Sequence, residues 1–303
     1  MIKQTSQNAS FFLMPKYIFE ILSQKYTPFK NKKELRFMKK ILIVFFMLIA
    51  NAVWAGDLED GQDAFNKKNY SVAFDKFKKA AVAGNEKAQY MIGSMYLDGL
   101  GVSQNKTEAI KWYKMAAEQG AADVQLILGL SYYIGENVSQ NNVEAVKWFK
   151  MSAVKGNAEA QFYLAESNML GLGVKKNNAE AVKWYKLSAL QGNVDAQFIL
   201  GMLYNKGQGA AQNYVEAVKW FKLAAAQGYP RAQGMMGANY MVGQGVAVNY
   251  VKAHMWLNLA VANGQDAAIE ARDIIESKMT PQQIAQAHQM ASACQERNYK
   301  NCD

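Results

Sequence analysis

Residues 105–120 read Asn-Lys-Thr-Glu-Ala-Ile-Lys-Trp-Tyr-Lys-Met-Ala-Ala-Glu-Gln-Gly, and a close copy of that line returns every 36 residues. Shifting the chain by that period lays Trp112 over Trp148, Trp184, Trp220 and Trp256. The next column holds Tyr113, Phe149, Tyr185, Phe221 and Leu257. Three further columns keep the register: loop glycines from Gly99 to Gly243, turn glycines from Gly84 to Gly264, and Gln89, Gln125, Gln161, Gln197 and Gln233. Self-similarity at a period of this size is the signature of stacked supersecondary units, each unable to bury its apolar face alone.

Each unit reads as two helices. In the first, Ala88, Met91, Ile92 and Met95 recur at i, i+3, i+4 and i+7, the helical period. Gly99-Leu100-Gly101 ends this helix A, because glycine accepts the positive φ that closes a helix. Helix B opens at Asn105 with Glu108 three residues on, a spacing that predicts a capping box; Asn141/Glu144, Asn177/Glu180 and Asn213/Glu216 repeat it, and Asn249 keeps the cap without the Glu. A small column, Gly93, Gly129, Ala165, Gly201 and Gly237, falls mid-helix, where glycine costs about 1 kcal/mol relative to alanine. The expected reason is close approach by the neighbouring backbone or by the Trp of helix B. A buried Trp contributes roughly 4–6 kcal/mol as an upper estimate. The five repeated tryptophans are therefore assigned to the scaffold, and the fold class is an all-α solenoid of antiparallel helix pairs.

With Ala-Gln near the start of helix A, Gly-x-Gly-Val in the loop and Glu-Ala-Val-Lys-Trp-Phe/Tyr-Lys in helix B, the unit resembles the Sel1-like repeat, a longer-looped relative of the tetratricopeptide repeat. The resemblance covers residues 85–264 in five units. It implies a right-handed superhelix serving as an adaptor or scaffold, in a family whose bacterial members are often exported. The second unit departs with Gly135-Glu136-Asn137-Val138, and Asn137 is expected to take the left-handed φ in place of glycine. Residues 56–84 form an N-terminal capping pair closer to an ordinary tetratricopeptide unit, with Lys76 in the Trp column. Residues 265–303 supply a C-terminal cap, whose helix starts at Thr280-Pro281-Gln282-Gln283, and a polar tail.

The formal charge of +9 belongs mostly to the first 55 residues, which hold nine Lys/Arg against Glu20 and Glu34. The remainder carries 25 Lys/Arg and 23 Asp/Glu, an ordinary mixed surface without the basic stripe that nucleic acid requires. Met38-Lys39-Lys40, an apolar run from Ile41 to Ala52, and Val53 and Ala55 at the −3 and −1 positions read as a secretory signal cleaved after Ala55. That run is shorter than the roughly 20 residues of a spanning helix, so no membrane span is expected in the mature chain. A periplasmic or secreted location follows. In such an oxidising compartment Cys294 and Cys302 are expected to pair as a local staple.

Superposing Ile92, Gly93 and Tyr96 on the core columns of tetratricopeptide helix A leaves another stripe for the concave face. It comprises Lys87, Tyr90 and Ser94, then Leu126, Leu130 and Tyr133, then Phe162 and Glu166, then Phe198 and Met202, and finally Met241. Unlike the core columns it varies between units, as a recognition surface would. Its large apolar members suggest a hydrophobic or helical segment of a protein partner. The competing reading assigns the aromatic position to the core between repeats. Nothing points to catalysis, a cofactor or a metal. His254 and His288 are the only histidines, the Glu/Lys pairs have i,i+3 surface spacing, and no phosphate-loop pattern occurs. One branch of the resembling family carries recurrent cysteine pairs with seven residues between them and has been linked to β-lactam binding or hydrolysis. Here that spacing occurs once, outside the Trp repeats.

Overall fold

The computed structural model describes residues 56–302. The expected leader, residues 1–55, lies outside them. The repeats lie within one compact unit that begins at Gly61. The described residues form fourteen helices and no strand: one over 56–66, then α2 (Tyr70–Val82), followed by five A/B pairs and two closing helices. The A helices are α3 (Glu86–Asp98), α5 (Ala122–Ile134), α7 (Ala158–Leu170), α9 (Val194–Lys206) and α11 (Pro230–Val242). The B helices are α4 (Lys106–Gln119), α6 (Asn142–Ala153), α8 (Asn178–Leu190), α10 (Tyr214–Ala225) and α12 (Tyr250–Ala262). Each A helix packs on its own B helix, and each B helix on the next A, which makes the continuous core of a solenoid.

The mid-helix glycines make room for the side chain that follows the tryptophan and, at Gly93 and Gly237, for the helix B backbone at Ala109 and Ala253; the tryptophan itself is not the reason. A Cβ on Gly93, Gly129, Gly201 or Gly237 would stand 2.4–2.6 Å from the side chain of Tyr113, Phe149, Phe221 or Leu257. The residue after the Trp fills the notch, so the two columns are one lock. Trp112, Trp148, Trp220 and Trp256 are buried and Trp184 half-buried, set between successive repeats; Trp148, for example, joins Val124 and Leu128 to Ile110 and Tyr113 of the preceding unit.

Only half of each expected capping box forms on the B helices. Asn105, Asn141, Asn177, Asn213 and Asn249 all accept from the amide three residues on. The Glu does not return to the Asn amide, because that amide already donates to a carbonyl near the end of helix A, as Asn105 does to Tyr96 at 2.8 Å. The freed carboxylates pair instead with Lys111, Lys147, Lys183 and Lys219 at 2.5–3.5 Å. Asn137 takes φ +67°, so the second loop keeps its path without glycine.

The Gln column is a polar spine. The Nε2 atoms of Gln89, Gln125, Gln161, Gln197 and Gln233 donate to carbonyls near the ends of the preceding helices, from Ala81 to Ala225, at 2.8–3.4 Å. From the ends of four of the five following B helices, Gln119, Gln191, Gln227 and Asn263 donate back to the Oε1 of Gln89, Gln161, Gln197 and Gln233. These bonds satisfy carbonyls that a helix end leaves open inside a packed stack.

At the C-terminal end, α13 (Ala268–Glu276) and α14 (Pro281–Glu296) cover the last repeat, α14 opening with the Thr280/Gln283 capping box. Cys294 and Cys302 are bonded, with Cα atoms 5.1 Å apart. The tail they close delivers the Tyr299 hydroxyl to Asn263 Oδ1 at 2.9 Å, where the polar spine ends.

Candidate partner-binding face

The A helices of repeats two and three touch directly, so successive A helices present a shared face. The structure divides the expected stripe along it. Leu126 and Phe198 are buried, 8% and 4% exposed, and belong to the inter-repeat core. Phe198 lies under Tyr229 and Phe221, with the Arg231 guanidinium 4.5 Å from its ring centre. Met202 and Met241 are half-buried against the same C-terminal core. Lys87 and Tyr90 are exposed; Tyr90 stacks on Tyr113 at 5.7 Å, and Ser94 shares a hydrogen bond with the Tyr113 hydroxyl at 3.0 Å.

Four of the expected residues converge across repeats two and three: Leu130, Tyr133, Phe162 and Glu166. Leu130 and Tyr133 pack on one side of the core cluster of Phe149 and Leu164. The Tyr133 hydroxyl donates to Glu166 Oε2 across the repeat boundary at 3.4 Å. Two tyrosines outside the expected stripe complete the group. Tyr163 lies 5.9 Å from Tyr133 between ring centres, and Tyr185 lies 5.7 Å from Phe162. The column of Tyr163 otherwise holds Met91, Ile127, Ile199 and Met235, so one hydroxyl in an aliphatic column was the available signal.

Burial dominates the electrostatics of this group. It raises the Glu166 carboxyl above the usual carboxylate range, opposed by the Tyr133 hydrogen bond. Burial likewise raises the phenols of Tyr133, Tyr163 and Tyr185, and the Glu166 charge adds to each shift. Beside the group, Ile134 and Leu170 close their A helices at 63% and 57% exposure.

His254 has no open face. It is fully buried, with Nε2 3.2 Å from Glu276 and Nδ1 3.0 Å from Asn258. Burial holds its pKa below the usual value against the opposing pull of Glu276. It therefore bonds the last repeat to α13, while the exposed His288 meets Asn258 at 3.3 Å. Among the described residues no cluster of His, Cys, Asp and Glu could hold a metal ion, and no helix is long and apolar enough to cross a membrane.

The Sel1 repeat model matches residues 86–120, 122–157, 158–193, 194–229 and 230–265. The chain belongs to the Sel1 repeat family. A Sel1 repeat protein from Oxalobacter formigenes is 31% identical, with a TM-score of 0.66 over 77% of this chain and 98% of its own. Two more distant structures are also similar. The protective antigen c5321 of uropathogenic Escherichia coli is 22% identical, covering 86% of this chain and 88% of its own at a TM-score of 0.40. A putative Sel1 repeat protein from Klebsiella pneumoniae is 24% identical, covering 67% and 99% at 0.39. No curated protein matches the chain. Sel1 repeat proteins are generally scaffolds for protein–protein interaction and typically not enzymes.

Proposed function

We propose that this Sel1 repeat protein is an exported, non-enzymatic scaffold that docks a protein segment on its A-helix face in the bacterial envelope. The observation that carries the docking face is the repeat-specific stretch in which half-buried Tyr133 and Glu166 stand beside exposed Ile134 and Leu170. It is apolar and aromatic with one carboxylate, whereas the surface of the B helices beside it carries regular Glu/Lys pairs. Mixed aromatic and aliphatic exposure of this kind marks interaction surfaces. Export is supported by the signal pattern ending at Ala55 and by the Cys294–Cys302 disulfide, which suits an oxidising compartment.

A photocrosslinking side chain placed at Ile134 or Leu170 in the native host tests the docking face. It should trap a discrete partner, and the same probe at Lys111 or Lys219 on the B helices should not. Identical adducts from both faces would sink the assignment. Sequencing the mature N-terminus tests export separately, with Gly56 as the expected first residue.

A further inference from the structure

Among the carboxylates of the A-helix face, Glu166 stands apart. Asp123 accepts from the side-chain amide of Asn157 at 3.0 Å, and Asp195 from the Tyr229 hydroxyl at 2.9 Å. Glu166 is more buried than either, yet its bond is the long 3.4 Å contact from Tyr133, and no lysine or arginine of the described residues pairs with it. A half-buried carboxylate without a counter-charge destabilises the free protein, and a cation supplied from outside would remove that cost. The rings of Tyr133 and Tyr163, 5.9 Å apart and inclined at 55°, stand beside it. Aromatic faces attract cations, most strongly where water is excluded. Glu159 and Asp195 also act on the Tyr163 phenol, so the local field is negative beyond Glu166 itself. Ile134 and Leu170 add exposed aliphatic surface from the two adjoining A helices.

We propose that the notch formed by Tyr133, Tyr163 and Glu166 receives a lysine or arginine side chain of the docked protein segment, with Ile134 and Leu170 contacting apolar residues beside it. The inference rests on the docking face proposed above and adds the chemistry of its occupant. The cation pairs with the carboxylate and lies against the tyrosine rings. The aliphatic rim requires that the basic residue sit within an apolar stretch and not in a polybasic tail.

Panning a random-peptide display library on the purified protein tests this, with binders located by their hydrogen-exchange footprint. Peptides that protect α5 and α7 should be enriched in Lys or Arg flanked by apolar residues. Glu166→Gln, checked for an unchanged helical spectrum, should weaken them roughly tenfold, and Tyr133→Phe, which keeps the ring, by no more than about twofold. Peptides on α5 and α7 that lack a basic residue, or bind Glu166→Gln equally well, overturn the cation notch and leave the docking face standing. Failure to recover any peptide that protects the A helices overturns both. Saturation of the notch by tetramethylammonium at an affinity comparable to the peptides would assign it to a small cationic ligand and overturn the protein-side-chain reading.

Discussion

The second repeat leaves four of the polar side-chain atoms that its packing buries without a partner, while the fourth, built on the same apolar columns, leaves one, Asn205 Oδ1. In repeat four Asn193 caps α9, and Gln227 donates to Gln197 Oε1 at 2.8 Å. Gly209 takes the loop's positive φ, and Trp220 donates to Glu216 at 3.2 Å. In repeat two the cap position is Ala121, with no side-chain bond. Lys155 stands where Gln227 does and donates to the Gly120 carbonyl instead, which leaves Gln125 Oε1 buried without a partner. Asn137 replaces the loop glycine, and its Oδ1 is buried without a partner, as are the Oδ1 of Asn142 and the Nε1 of Trp148. Apolar columns are thus enough to fold a unit, and polar fittings set how tightly it holds. The unit with more unpartnered atoms also supplies Tyr133 and Ile134 to the candidate face. Amides of α5 and α6 should therefore exchange faster than those of α9 and α10.

The largest test of the comparison is in the Trp column. Trp220→Ala should cost about 3–5 kcal/mol in urea unfolding. Trp148→Ala should cost about 1 kcal/mol less, because its buried N–H has no partner to lose. Equal losses would show that the unpaired N–H carries no penalty. Next comes the loop. An added Cβ on Gly209 would stand 2.3 Å from the Asn178 carbonyl oxygen at φ +79°, so Gly209→Ala should cost roughly 2 kcal/mol or more. Asn137→Gly should instead gain about 1 kcal/mol and narrow the gap between the repeats.

The polar spine gives a smaller, reciprocal pair. Lys155→Gln can close the open bond to Gln125 and should stabilise by about 1 kcal/mol, while Gln227→Lys should destabilise by a similar amount. If Lys155→Gln leaves the melting temperature unchanged, the open Oε1 is being satisfied in another way. The smallest effect is at Glu166. Its folded pKa is raised, so the folded state binds a proton more readily than the unfolded chain, and stability falls as pH rises through the folded value. Glu166→Gln should match the parent at pH below the usual carboxylate range. At neutral pH it should exceed the parent by a few tenths of a kcal/mol, a figure kept small because the group is only half-buried. A parent whose stability stays level across that window would remove the basis for calling this charge uncompensated.

Much of the fold is legible in the chain because it is periodic. Trp112 and its copies, the helix-closing glycines and the asparagine caps act within one or two turns of backbone, and repetition multiplies a weak local signal into a certain register. The candidate face was only partly legible. Phe198 and Phe162 occupy one column, yet Phe198 is closed over by Tyr229 and Arg231, neighbours supplied by the next repeat, while Phe162 remains half-exposed among tyrosines. Tyr163 gave only a weak signal, because the other members of its column are half-buried aliphatic residues.

The sequence by itself determined an all-α chain of five Sel1 repeats, since period, caps and helix breakers are local properties of the backbone. Tertiary structure alone decided that the residue after each Trp fills the mid-helix notch, that the glutamines form a spine, and that Glu166 meets Tyr133 from another repeat. Those contacts join residues about 20 to 33 positions apart, and their worth depends on burial and distance, which no single stretch of sequence encodes.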